Sequence, residues 1–88
     1  MFGEKLFNRV ISSLNSEQIA KMQRLIIVRS AHLAQTLSAE MLEAKRLHHA
    51  KRAMRPFTSK ASIIENTVWA SAANRALSVK ERSEEVAA

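Results

Sequence analysis

Residues 16 to 54 read SEQIAKMQRLIIVRSAHLAQTLSAEMLEAKRLHHAKRAM, a stretch with neither Gly nor Pro. It is rich in Ala, Leu, Lys, Arg, Glu and Gln, residues that lose little conformational freedom on entering a helix. Within it, Ile19, Met22, Ile26, Ser30, Leu33, Leu37, Met41, Ala44 and His48 recur at intervals of three, four and four. That spacing lies close to the period of a straight helix and keeps one face aligned from end to end. It predicts a long central helix, about 57 Å in length if unbroken. A compact globule of this chain length has a radius of gyration of about 12 Å, so an unbroken rod would project beyond any single-chain core. Apolar surface would then be left for another subunit or partner to cover.

A competing reading bends this helix near Ser38. There Ser38 caps a new helix opening at Ala39, Glu40 and Met41, with Leu37 and Leu42 placed as a hydrophobic staple. Glu40 and Glu43 would stand near the start of that helix and the basic residues near its end, as the macrodipole favours. Serine is also tolerated inside helices when it faces solvent, and the uninterrupted row favours continuity.

Working outward from this stretch, Phe2, Leu6, Phe7, Val10, Ile11 and Leu14 form an apolar stripe opposite Glu4, Lys5, Asn8, Arg9, Ser12 and Ser13. This predicts a short amphipathic N-terminal helix. Asn15 and Gln18 have the spacing of a capping box that would start the next helix. On the other side, Pro56 ends the central region, because proline lacks an amide donor and disfavours helical geometry in Arg55. Thr58 or Ser59 then offers a cap for a last helix running from about Lys60 to Lys80 or beyond. Its Ile64, Val68, Ala72, Ala76 and Val79 form one row, with Ala61, Ala70, Ala73 and Leu77 beside it, a small-residue face suited to close helix packing. The segment from Lys80 to Ala88 is polar or small, and fraying is expected there. The expected fold is all-α in a single small domain, residues 1 to 88: a short N-terminal helix, a long central helix that either continues or bends near Ser38, and a C-terminal helix folded back after Pro56.

Charge is distributed unevenly along this frame. The net charge of +6 comes from Ala44 to Ile64, which holds Lys45, Arg46, Lys51, Arg52, Arg55 and Lys60 and no acid. Elsewhere the remaining basic residues are balanced by the eight glutamates. A local positive field of this kind suits contact with an anionic partner, either acidic protein or phosphate. Only Phe57 is aromatic nearby, and no base-reading motif accompanies the cluster. The same cations could also serve simply to satisfy a helix C-terminus.

Catalytic groups are scarce. Cysteine and aspartate are absent, so disulfides and thiolate metal sites are excluded, and the lone Gly3 rules out a glycine-rich phosphate loop. His48 and His49 point about 100° apart on a helix and cannot share a metal face. Glu40 and Glu43 share a face, but with no Asp, Cys or neighbouring His they read as a solvated surface. His32 reads as an ordinary helix-face residue. Trp69, alone among alanines, reads first as a packing anchor and second as an interface hot spot.

The residues therefore predict a non-enzymatic assembly or adaptor protein with no cofactor, no metal and no small-molecule substrate. Its contacts would be anchored by Trp69, Leu33, Leu37 and Met41 and oriented by the basic cluster. The expected partner is another protein or a second copy of the chain. Nucleic acid is the alternative, through Lys45 to Lys60, and a membrane surface engaging Phe2, Leu6 and Phe7 ranks third. The longest run of large aliphatic residues, Leu25 to Val28, is far short of a bilayer span, and no secretory signal is evident. A cytoplasmic setting is expected, with an organelle matrix or a virion as alternatives.

Overall fold

In a computed structural model the described residues form four helices: α1 (Phe2–Ser12), α2 (Ser16–Thr36), α3 (Ala39–Ala53) and α4 (Lys60–Ala87). The structure describes the backbone of residues 2–56 and 58–87 and the side chains of 4–56 and 58–83. Phe2 of the N-terminal stripe and Phe57 beside the basic cluster lie outside the described side chains.

α2, α3 and α4 each start where a side chain can take up a free amide. The Asn15 carbonyl accepts from the Gln18 amide at 2.8 Å while the Gln18 side chain accepts from the Asn15 amide at 2.9 Å, closing the capping box that opens α2. Ser38 Oγ accepts from the Met41 amide at 3.2 Å at the start of α3, and Ser59 Oγ accepts from the Ser62 amide at 3.1 Å at the start of α4. Such caps each contribute about 1 kcal/mol. The last helix extends beyond Lys80 to Ala87.

The unbroken central rod is not formed. Leu37 and Ser38 both take extended backbone geometry, and the helix stops and restarts across them. The Ser38 cap and the Leu37/Leu42 staple prevail over the continuous row: the break gives up helical hydrogen bonds, the cap recovers one of them at the Met41 amide, and the turn brings Leu42 onto the alanines of α4, burying apolar surface that a straight helix would leave in water. The two extended residues also change the helical phase. From Met22 on through α2 the row faces inward, with Ser30 and Leu33 buried and Met22, Ile26 and Leu37 partly covered, whereas Ile19 near the start of the helix is exposed. Beyond the break, Met41, Ala44 and His48 are exposed, and the inward positions become Leu42, His49 and Ala53. Leu47 and Met54 are 43% and 42% exposed on the same arm.

α4 is the element against which the others pack. Arg29 of α2 reaches Glu65 and Trp69, and one turn later Leu33 joins Ala72, Ala73 and Ala76 in the core, so α2 and α4 run in the same direction. α3 runs the other way. Leu42 joins the same alanines, and His49, two turns on, reaches back to Asn66. α2 and α3 thus form a helical hairpin with α4 laid against both arms, while α1 packs on α4 and buries Val10.

At the closed end of the hairpin Ala72, Ala73 and Ala76 are fully buried beside Leu42. Methyl side chains let both arms approach the α4 backbone closely. Further along α4, Ile63 and Val68 are buried as well; side chains of this kind each contribute about 1.5–3 kcal/mol on leaving water. The radius of gyration is 14.0 Å and the extents are 43 × 27 × 18 Å. Folding into a hairpin removes the projecting rod, so excess helix length no longer argues for a partner; exposed side chains must carry that argument.

Candidate interaction site

The six clustered cations do not act as one group. Lys45 and Arg46 are held within the fold, whereas Lys51, Arg52, Arg55 and Lys60 are exposed. Arg46 donates from Nε to Glu43 Oε2 at 3.3 Å and from its terminal nitrogen to Glu43 Oε1, one turn back on α3. The hydrogen bond from Arg46 holds the Glu43 carboxyl below its ordinary range, and the same contact raises the guanidinium. Glu43 is therefore an ion-pair partner, and Glu40 stands exposed in the first turn of α3. The four exposed cations follow the last turn of α3 and the connection into α4. None has a carboxylate partner among the described residues. Lys60 is the first residue of α4, whose first turn contains no acid, so its charge adds to the positive end of the helix dipole.

The other part of the cluster converges on Trp69. Halfway along the hairpin, the Arg29 guanidinium from α2 lies 4.4 Å from the indole centroid and the Lys45 ammonium from α3 lies 4.5 Å from it. A cation over an indole face gains about 0.5–2 kcal/mol, depending on how far water is excluded. The indole Nε1–H donates to Glu65 Oε1 at 3.0 Å. Arg29 Nη1 approaches the same oxygen to 2.9 Å, but off the N–H direction, so this buried nitrogen has a Coulombic contact and no hydrogen-bond acceptor. Among the interface anchors expected from the sequence, Trp69 is half-buried by these charged side chains. Leu33 lies in the chain's own core and Leu37 is partly covered, while Met41 is 55% exposed.

His49 completes the junction. Its ring stacks on Trp69 at 5.9 Å between centroids with a 23° interplanar angle, and His48 meets it edge-on at 5.0 Å. The polar partners fix its tautomer. Asn66 Nδ2 donates to the Ser62 carbonyl at 2.9 Å, which leaves Asn66 Oδ1 as acceptor for His49 Nδ1–H at 2.9 Å. His49 Nε2 must then be the bare nitrogen, and it accepts from the Lys45 ammonium at 3.2 Å. Desolvation lowers the His49 pKa below the ordinary imidazole value. The nearby charges of Lys45, His48 and Arg52 lower it further, against the opposing effect of the Asn66 hydrogen bond. A second proton would place an N–H opposite an ammonium.

Arg29, Glu65 and Asn66 were not singled out by sequence reasoning. Their local signals exist as four-residue spacings, Lys45 with His49, Ser62 with Asn66 and Glu65 with Trp69, each of which stacks two side chains on one helix face. What joins them is the approach of three helices. The resulting arrangement can hold charge and bind, but it presents no nucleophile paired with a base. Among the described residues no three His, Cys, Asp or Glu side chains converge on a metal position, and no described helix is long and apolar enough to cross a membrane. In comparisons with protein families, curated proteins and solved structures, nothing matches this chain.

Proposed function

We propose that the chain works by contact: it is a non-enzymatic helical subunit or regulator of a larger assembly, acting in the cytoplasm on a protein partner or a second copy. The observation that carries this reading is the apolar surface remaining after the helices have packed. Ile27 is 51% exposed and its neighbour Val28 is 68% exposed on the outer side of α2; Met41, Leu47 and Met54 add 55%, 43% and 42% on α3. Ile19, near the start of α2, adds 42%. Single exposed apolar residues are ordinary, but six along two arms of one hairpin offer contact area to a partner. The exposed cations Lys51, Arg52, Arg55 and Lys60 would orient an acidic partner and speed its encounter.

Solution mass across a concentration series, followed by capture from the native source, tests this reading when wild type is compared with a chain carrying Ile27→Glu and Val28→Glu. The expected result is a self-associated form or a retained protein that the double variant loses. A wild-type monomer that retains nothing the variant loses would refute it.

The second reading is a nucleic-acid-binding protein, favoured by the lack of carboxylate partners, among the described residues, around the four exposed cations. Titration with duplex DNA and RNA over a salt series would then give an affinity falling steeply with salt. Replacing Lys51, Arg52, Arg55 and Lys60 by Gln would flatten that slope, and an unchanged slope removes the reading.

A further inference from the structure

We infer that the Trp69 junction is a binding site for a carboxylate, presented by an acidic segment of a protein partner and held between Arg29 of α2 and Lys45 of α3. The inference rests on the contact reading above and names the chemistry that one part of the contact recognises.

Three observations lead to it. The junction carries more positive than negative charge: Arg29 and Lys45 both lie over the Trp69 indole, His49 is neutral, and Glu65 is the one carboxylate in contact among the described residues. Its donors are under-used. Arg29 Nη1 is buried without a hydrogen-bond acceptor, and the Lys45 ammonium, which has three N–H groups, is given one side-chain acceptor, an imidazole nitrogen. Finally, Glu65 shows how a carboxylate sits here, since one of its oxygens receives the indole N–H and faces the guanidinium. A second carboxylate entering between the arms would accept from Lys45 and from the part of the Arg29 guanidinium that remains exposed while Nη1 stays on Glu65, adding charge-assisted hydrogen bonds where Lys45 now has a neutral acceptor. A phosphate backbone fits less well, because successive phosphates would have to pass the exposed Glu65.

Carboxylate binding also has consequences for His49. The groups facing this ring are Arg29 from α2, Lys45, His48 and Arg52 from α3, and Glu65, Asn66 and Trp69 from α4. When Lys45 turns to an incoming carboxylate, His49 Nε2 loses its donor and gains a neighbouring negative charge. Both changes favour protonation, so binding and proton uptake are coupled.

Trp69 is the sole tryptophan, so its emission reports the site directly. The full chain is titrated with hexaglutamate, with hexaglutamine and with a short DNA duplex, while His49 is followed by NMR. Hexaglutamate should shift Trp69 emission and raise the His49 pKa, and hexaglutamine should do neither. Lys45→Gln should weaken hexaglutamate about tenfold or more, and Lys45→Arg should restore most of that loss. Arg24→Gln with Arg75→Gln, which removes exposed positive charge outside both the junction and the basic end, should change it by no more than about threefold. Circular dichroism confirms that each variant is folded.

The inference is overturned if hexaglutamate leaves both signals unchanged, if Lys45→Gln binds as wild type does, or if DNA moves the signals and the peptide does not. If the peptide fails while the Ile27→Glu, Val28→Glu chain still loses its association, this site falls and the contact reading stands.

Discussion

The two halves of one sequence row meet opposite fates. From Met22 to Leu37 it turns toward α4, while Met41, Ala44 and His48 face water. Nothing in the residue types separates the halves, for Met41 is as apolar as Met22. The difference lies in two extended residues, Leu37 and Ser38, which shift the phase so that the neighbours Leu42 and His49 take the inward positions. A periodic row reports which residues share a face only as long as the helix continues.

Neighbouring pairs across this shift make the comparison easy to break. Leu42 is fully buried among alanines, so Leu42→Ala should cost about 2–5 kcal/mol. Met41→Ala, one residue away and 55% exposed, should stay within about 0.5 kcal/mol. Urea unfolding followed by circular dichroism measures both, and equal losses would mean that the phase is misassigned.

A smaller effect is expected at the break. Ser38→Ala removes the acceptor for the Met41 amide and should cost about 1 kcal/mol in the same unfolding experiment, with Ser38→Asp retaining most of the stability. Loss of that magnitude identifies Ser38 as a cap; no loss would favour a serine merely facing solvent inside a helix.

The smallest effect separates the two adjacent histidines. Because the folded-state pKa of His49 is lowered, the unfolded chain takes up this proton first as pH falls. Stability contributed by neutral His49 is therefore fully present above the ordinary imidazole value, near 6.5. It is lost progressively as pH drops from there through the lower folded-state value. His49→Gln should remove this part of the slope between pH 7 and 5, and His48→Gln should reduce it only in part, since desolvation is the larger cause of the shift. Denaturant midpoints across that range decide the matter.

Local chemistry made much of this fold legible. The Asn15/Gln18 box, the Ser59 cap, the stop at Pro56 and the small-residue face of α4 each depend on residues within a few positions of one another. The bend at Ser38 was legible as an alternative, because cap and staple are local too. Choosing it over the continuous row required knowing what Leu42 would touch, and the alanines of α4 lie some thirty residues further on. The same limit governed the site. An exposed basic end was readable from composition, but the division of the cluster was not, since Lys45 turns inward only because Trp69 and His49 meet it there.

The break itself can be measured amide by amide. In the hairpin, Ser38, Ala39 and Glu40 occupy the cap and first positions of α3, where no preceding helical carbonyl is in register. The Leu37 amide bonds to the Leu33 carbonyl at 3.0 Å and the Leu42 amide to the Ser38 carbonyl at 2.9 Å. Hydrogen exchange by NMR should find Ser38, Ala39 and Glu40 exchanging at near-unfolded rates between protected Leu37 and Leu42. Uniform protection from Leu33 through Leu42 would show one continuous helix and contradict the hairpin on which the rest of the architecture is built.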